Sequence, residues 1–431
     1  MLQTPTGTFD ILPENQKYWQ AIENTFLKIA YSFGFEKIET PFFEYKSIYE
    51  KSIGATTDIV EKQMYTLKRL TEGEKEELVL RPEGTAGVVR AYLEHGMHTW
   101  PQPVKLCYFG PMFRYERPQK GRFREHHQFG LEIFGAASQF TDAFLIGLVK
   151  IIYQEFGLSN LIFEVNSIGC QNCRSKMKKA LVDYYRPYQS LLCPSCQNRL
   201  FKNPLRLLDC KEEKCQPVIQ RAPALIDFLC PPCKDHFKGL LEYLDDLNIP
   251  YDFNPRLVRG LDYYTKTIFE VIPMDRSASL GGGGRYDNLV ELFGGKSTPG
   301  LGFSGGIERT IEEMKRQKID VPSLPKPEIF LVQLGDLARK KSLPIIFKLY
   351  QDGFKVTSAL DKESLKSQLK TADKLKTPFA LILGQKEAQE GTIIVRDMIN
   401  GSQELVDLKK LSEFLKKRVG GVVKVKKPKS L

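Results

Sequence analysis

FGPMFRYERPQKGRFREHHQFGLEIFG (109–135) sets four arginines, two histidines and three glutamates between two aromatic runs. In FRYE, Phe113 and Tyr115 point one way and Arg114 and Glu116 the other, because successive strand residues face opposite sides. In QFGLEIF, Phe129, Leu131 and Ile133 form an apolar face, leaving Gln128, Gly130 and Glu132 opposite. RPQKGRFREHH between them carries Pro118 and Gly121 and reads as a polar loop. The segment predicts an antiparallel hairpin with an apolar back and a charged front. Such a front can simply face water. An arginine opposite a carboxylate, with a glycine between, also suits a small ligand bearing both an anion and a cation.

Outward from the hairpin, residues 14–33 place Ile22, Phe26, Ile29, Ala30 and Phe33 at helical spacing, and Gly34 follows as a stop. FEKIETPFFE reads as a strand interrupted by Pro41. ELVLRPEGTAGVVRAYLEHG reads as strand, tight turn and a helix beginning near Thr85. DAFLIGLVKIIYQEFG predicts an amphipathic helix and NLIFEVNSIG a strand. The sum is an α+β catalytic domain with a mixed, mainly antiparallel sheet flanked by helices. A cysteine-rich helical insertion (170–240) divides it into 1–169 and 241–322. A Pro-rich connector, DVPSLPKPE (320–328), precedes a C-terminal α/β domain (326–425) with strands at IFLVQL, FKVTSAL, FALILG and TIIVRD.

At 431 residues, 42% hydrophobic and 27% charged, the chain can bury two or three cores. No apolar run approaches a bilayer span and MLQTPTGTFDILPENQ lacks the pattern of a secretory signal, so a cytoplasmic protein without membrane association is expected. The excess of 63 basic over 52 acidic residues makes nucleic acid the first candidate partner. Part of that excess lies in KKRVGGVVKVKKPKSL, which reads as a solvated tail.

Several segments carry chemistry. In LRPEGTA (80–86), Thr85 can cap the helix start, whereas capping does not account for Glu83, which suits an amine. LVRGLDYYTKTIFE (257–270) offers Arg259, fitted to phosphate, beside Tyr263 and Tyr264, which are also ordinary strand residues. LGGGGRYDNL is no Walker or dinucleotide loop; its consecutive glycines imply close approach of a ligand or backbone. GLGFSGGIER (300–309) reads as a glycine-rich backbone leading into a helix whose first turn carries Arg309, with helix amides available to phosphate. Eight of nine cysteines fall in pairs: Cys170 and Cys173, Cys193 and Cys196, Cys210 and Cys215, Cys230 and Cys233. That spacing predicts one or two structural zinc sites, with buried thiols as the plainer reading. Cys107 reads as core, and His126 and His127 as loop or substrate contacts rather than metal ligands.

Together these segments resemble the class II aminoacyl-tRNA synthetases, and within them the histidyl-tRNA synthetase family. The N-terminal helix and Pro41 strand resemble the first class motif, FRYERPQKGRFREHHQFGLEIFG the second and GLGFSGGIER the third. LVRGLDYYT and GGGGRYD resemble the two segments peculiar to the histidine enzymes. The resemblance spans essentially the whole chain. It implies a homodimer that binds L-histidine, ATP with Mg2+, and tRNA(His), with the C-terminal domain on the anticodon. It implies that Arg114 and Arg259 grip the α-phosphate, that Arg122 and Arg309 hold terminal phosphates and adenine, and that Glu116 belongs to the ATP site. Glu83 and Thr85 would take the α-amino group and Gln128 the carboxylate region. Glu132 and Tyr264 would bond the imidazole, Tyr263 and Tyr286 would shape its pocket, and Gly130 would keep the strand face open. Gln119 and Arg124 would meet the tRNA acceptor end. The family implies nothing about metal on the cysteines.

Two rival readings remain at this point. A regulatory paralogue of ATP phosphoribosyltransferase shares the fold without charging tRNA, but typically lacks the C-terminal domain and part of the arginine set. A zinc-dependent nucleic-acid-binding protein explains charge and cysteines and leaves the glycine and arginine segments idle.

Overall fold

The computed structural model describes residues 2–55, 57–68, 76–117, 119, 121–361 and 364–419. The basic tail from 420 onward, with the last residues of the expected 326–425 domain, lies outside the described residues. The chain divides into two compact units, Met1–Pro322 and Ser323–Leu431.

The first unit is built on short strands β1 (Glu36–Lys37), β2 (Phe43–Tyr45) and β3 (Leu78–Leu80), then the long hairpin β4 (Val104–Phe113) and β5 (Glu125–Phe134). There follow β6 (Leu161–Ser167), β7 (Tyr251–Phe253), β8 (Thr265–Pro273), β9 (Gly281–Arg285) and β10 (Gly300–Gly306). Eight of these form one sheet in the order β1-β4-β5-β10-β9-β8-β6-β7. Its six central strands are antiparallel, and β1 and β7 join the edges in parallel. β2 and β3 pair separately.

Two local expectations change. FEKIETPFFE is not one interrupted strand: Pro41 separates β1 and β2, which enter different sheets. FRYE stops being strand after Phe113; the chain leaves β4 there, and Arg114 N donates to Arg124 O at 2.8 Å. The alternation in β5 holds, and the water-facing reading of its front does not, because every residue from Phe129 to Phe134 is buried.

The reason is a core on each face. Behind the sheet, helix Gln16–Ser32 buries Trp19, Ile22, Phe26 and Ile29 against Phe129, Leu131 and Ile133, and helices Gln139–Glu155 and Ile307–Arg316 join the same cluster. In front, helix Thr85–Glu94 and the cysteine-rich insertion cover the sheet, and Met177, Leu181, Tyr185 and Leu200 join one apolar cluster with Tyr108, Tyr263, Tyr264 and Tyr286. Burial of this kind, at about 25 cal/mol per Å² of apolar surface, is what holds the insertion to the sheet. Buried Asp142 lies 2.6 Å from Arg285 and accepts from Thr267 Oγ1 at 2.6 Å, with His236 Nε2 at 2.8 Å. It thereby ties β8, β9 and helix Pro231–Asp246 together.

In the second unit β11 (Ile329–Gln333), β12 (Val356–Ser358), β13 (Phe379–Leu383), β14 (Thr392–Asp397) and β15 (Gln403–Asp407) order as β12-β11-β13-β14-β15. β11 is parallel to both neighbours, while β14 and β15 are antiparallel additions. β15 was not anticipated: QELVD buries only Val406, too few apolar residues to mark an edge strand. Among the described residues no helix is long and apolar enough to cross a membrane.

Candidate active site

The site forms on the front face around Glu132. In register, Tyr108 lies opposite Gly130 and Glu132 opposite Gly302. A Cβ on Gly302 would stand 1.9 Å from Glu132 Oε2, so glycine there is what admits the carboxylate. Glu132 is fully buried; Thr85 Oγ1 donates to its Oε1 at 2.7 Å and the Tyr286 hydroxyl to its Oε2. Burial outweighs these two donors and pushes its pKa up to about 8.

The turn before helix Thr85–Glu94 inverts the expected roles. Thr85 is not the cap, since its hydroxyl goes to Glu132. Glu83 caps the helix instead, accepting from Thr85 N and Ala86 N, each at 2.8 Å. A carboxylate suits that position because it meets exposed amides and the positive end of the helix dipole. Glu83 is itself buried, which raises its pKa, and Tyr263 Oη stands 3.4 Å from its Oε2. The Tyr263 and Tyr264 rings lie 4.7 Å apart, and Tyr263 meets Tyr286 edge-on at 5.7 Å.

The arginines approach from three elements. Arg114, just past β4, is anchored by Nε to Pro82 O at 2.8 Å. Arg259 ion-pairs with Glu270 on β8 and lies on Gly282 of β9, where a Cβ would come within 2.7 Å of its Cζ. Burial alone would lower its pKa, but Glu270 and Tyr264 together outweigh that and hold the guanidinium firmly charged. Arg309, in the first turn of helix Ile307–Arg316, donates to Gly121 O at 2.9 Å and Ser279 O at 2.8 Å. Its pKa is lowered by burial and then by the nearby Arg122 and Arg114 charges, against the pull of Glu116 and Glu270. Arg114 is likewise depressed by burial, with Arg259 adding to the effect. These cations sense one another, and each partly buried guanidinium suits an anionic ligand. In the same first turn as Arg309, the Glu308 carboxylate accepts from His127 N at 2.9 Å and lies 2.8 Å from His127 Nδ1.

The remaining expected residues lie in or near the hairpin. Gln128 Oε1 is buried with no partner among the described residues. Arg122 is exposed, 3.6 Å from Glu116, and Gln119 is exposed at the loop tip. Arg124 stacks over Tyr115 at 3.9 Å. Gly130 does more than keep the face open: a Cβ there would lie 2.1 Å from the Tyr108 ring. Tyr108 and Glu270 are the site residues that sequence reasoning missed. Both were legible by alternation, once Tyr108 is set against Gly130 and Glu270 against Gly282. In the insertion, the eight paired cysteines collect into two groups of four.

Sheet and site together define a class II aminoacyl-tRNA synthetase catalytic domain. The histidyl-tRNA synthetase family model matches residues 7–171 and 219–310, and an anticodon-binding-domain model matches 334–418. The histidine–tRNA ligase of Desulforamulus reducens is 45% identical over 421 residues, covering 97% of this chain and all of the relative. The crystal structure of apo S. aureus histidyl-tRNA synthetase superposes with a TM-score of 0.78 at 37% identity, covering 96% of this chain and 99% of that one. A Bacillus halodurans structure described as an ATP phosphoribosyltransferase regulatory subunit/histidyl-tRNA synthetase gives 0.60 at 20% identity, covering 89% and 98%, a likeness of fold alone. The chain belongs to the histidyl-tRNA synthetase family.

Proposed function

We infer that the chain is a histidine–tRNA ligase: it activates L-histidine with ATP to histidyl-adenylate and pyrophosphate, then transfers histidine to the 3′ end of tRNA(His). The observation that carries this reading is the buried Glu132, held by Thr85 and Tyr286 and walled by Tyr263 and Tyr264, beside the cluster of Arg114, Arg259 and Arg309.

In this reading the imidazole binds between Glu132 and Tyr264, with Tyr263, Tyr286 and Tyr108 as its walls. Glu83 receives the α-amino group, and Thr85 orients Glu132. Gln128, with an orphaned buried oxygen, turns its amide to the carboxylate region. An amino acid without imidazole would leave these buried polar groups unpaired, so specificity needs no editing domain. Arg114 and Arg259 flank the α-phosphate. A carboxylate oxygen of histidine attaches to the α-phosphorus as its bond to the bridging oxygen breaks, and pyrophosphate leaves. Positioning and fixed positive charge supply the acceleration. Arg122 and Arg309 hold the terminal phosphates and adenine. ATP would come with Mg2+, which would neutralise phosphate charge; Glu116 and Glu270, whose charges act on Arg309, are the carboxylates that would hold the ion. A terminal ribose hydroxyl then attacks the histidyl carbonyl and AMP departs. Gln119 and Arg124 guide the acceptor end, and the second unit takes the anticodon. The protein would work in the cytoplasm as a homodimer through residues 36–45, where Phe42, Phe43 and Tyr45 stand exposed.

Amino-acid-dependent ATP–pyrophosphate exchange, with each of the twenty amino acids, tests the reading. Exchange is expected with histidine only, and Arg259→Ala should lower it roughly 10² to 10³-fold with the fold intact. No exchange with any amino acid from folded protein would overturn it and favour the regulatory paralogue.

A further inference from the structure

The adenylate chemistry uses none of the eight cysteines of the insertion, yet their placement is highly organised. Cys170 and Cys173 begin helix Gln171–Tyr185, and Cys230 and Cys233 begin helix Pro231–Asp246, so two helix N-termini bring two pairs together at the root of the insertion. Cys170 Sγ stands 3.6 Å from Cys173 Sγ and 3.9 Å from Cys230 Sγ, and Cys230 N donates to Cys173 Sγ at 3.1 Å.

The second group forms where Cys193 and Cys196 open helix Pro194–Lys202 and the following loop returns Cys210 and Cys215. Cys193 Sγ lies 3.8 Å from Cys210 Sγ, and its own N donates to Cys215 Sγ at 3.2 Å. Within each group all four sulfurs lie within 4.8 Å of one another, and no cysteine is bridged. Four zinc–sulfur bonds of about 2.3 Å in a tetrahedron set sulfur separations of about 3.8 Å. Backbone amides donating to sulfur, and the helix dipole, favour the thiolates such an ion needs. Iron also accepts four thiolates, but zinc binds more tightly in the divalent series and the proposed reaction moves no electrons.

Both groups adjoin side chains that grip the segment carrying Arg259, Tyr263 and Tyr264. Arg174, next to Cys173, donates to Asp262 O and Tyr264 O, each at 3.0 Å. Between Cys196 and Cys210, Asn203 Nδ2 holds both oxygens of Asp262 at 2.9 Å. Arg206 Nη1 donates to Arg259 O at 3.2 Å, with Gly260 close beneath it.

We propose that each group holds one structural zinc ion, and that the two ions keep Arg174, Asn203 and Arg206 where they fix the Arg259–Tyr264 segment. These three are positioning residues. Their part rests on the histidine-ligase reading; the zinc content does not.

The test begins with metal analysis of the full chain, purified without added metal. Two zinc ions per chain are expected, and one in Cys193→Ser/Cys196→Ser and in Cys170→Ser/Cys173→Ser. Because those variants can fail to fold, protein produced with Co2+ provides a second measurement, with the visible absorption of tetrahedral cobalt thiolate expected. Less than one zinc per chain, iron in its place, or no such absorption overturns the metal sites. Arg206→Ala should keep two zinc ions and its melting temperature while kcat for exchange falls at least about tenfold at little-changed histidine KM, with Arg206→Lys recovering part. Full exchange in Arg206→Ala overturns the positioning role. Two zinc ions in a wild-type protein without exchange would support the metal sites and sink the ligase reading instead.

Discussion

Glu132 couples the histidine pocket to pH. Its carboxyl titrates near 8 in the folded chain against a usual value of 4.5, so between those values the folded state keeps a proton that the unfolded chain releases. Its contribution to stability is present in full below 4.5 and is lost as pH rises through 8, at roughly 1.4 kcal/mol for each pH unit crossed between the two values. Glu132→Gln cannot titrate, and its melting temperature should fall less than that of the wild type between pH 5 and pH 8.5; equal slopes would show that burial does not act on this group. The same variant should raise the histidine KM about 10-fold in exchange, as expected for losing one buried hydrogen bond. At this scale the residue types were legible and their partners were not. The exchange of roles between Glu83 and Thr85 turns on Glu132, forty-seven positions beyond Thr85, and no local pattern reports a contact at that separation.

The strand β9 works as an element because its first four residues, Gly281 to Gly284, lack side chains. With no Cβ on Gly282, the Arg259 guanidinium lies flat on the sheet between Glu270 and the site. Gly282→Ala would place a methyl 2.7 Å from Arg259 Cζ. The guanidinium is the free end of a long side chain and can move, so the fold should hold. Exchange should drop at least about tenfold through a lower kcat, which stopped-flow or radiolabelled exchange would read beside a thermal melt. Unchanged exchange would mean that Arg259 does not act from this position. The glycine run announced close approach of a ligand or backbone: Gly281, Gly283 and Gly284 meet the backbone of β10 and β8, while Gly282 meets an arginine from a loop ahead of β8, which only the folded sheet reveals.

Over the whole molecule, each unit has its own apolar core: Ile329, Leu331, Leu381 and Val395 anchor the second, while the first packs both faces of its sheet. Opening the connector with an engineered protease site after Ser323 should leave both fragments folded. The first should keep histidine-dependent exchange and lose tRNA charging, as read by exchange and aminoacylation assays in parallel. Equal loss of both activities would contradict a division of labour between the units. In the intact chain, raising salt from 50 to 200 mM should weaken tRNA binding by orders of magnitude, the mark of phosphate contacts.

The sequence by itself determined the hairpin, its apolar back, the helices that cover it and the paired spacing of the cysteines. Those are properties of period and local chemistry, carried by residues a few positions apart. Only the tertiary structure decided that the front of the hairpin is buried, that Pro41 divides two sheets, and which cysteines share a site. Cys170 groups with Cys230 rather than Cys193 because the starts of the helices they begin meet at the root of the insertion, around Leu229. Likewise the pKa of Glu132 is set by residues that fold over it from other segments. Loop closure and burial depend on the whole chain, and so does the site they build.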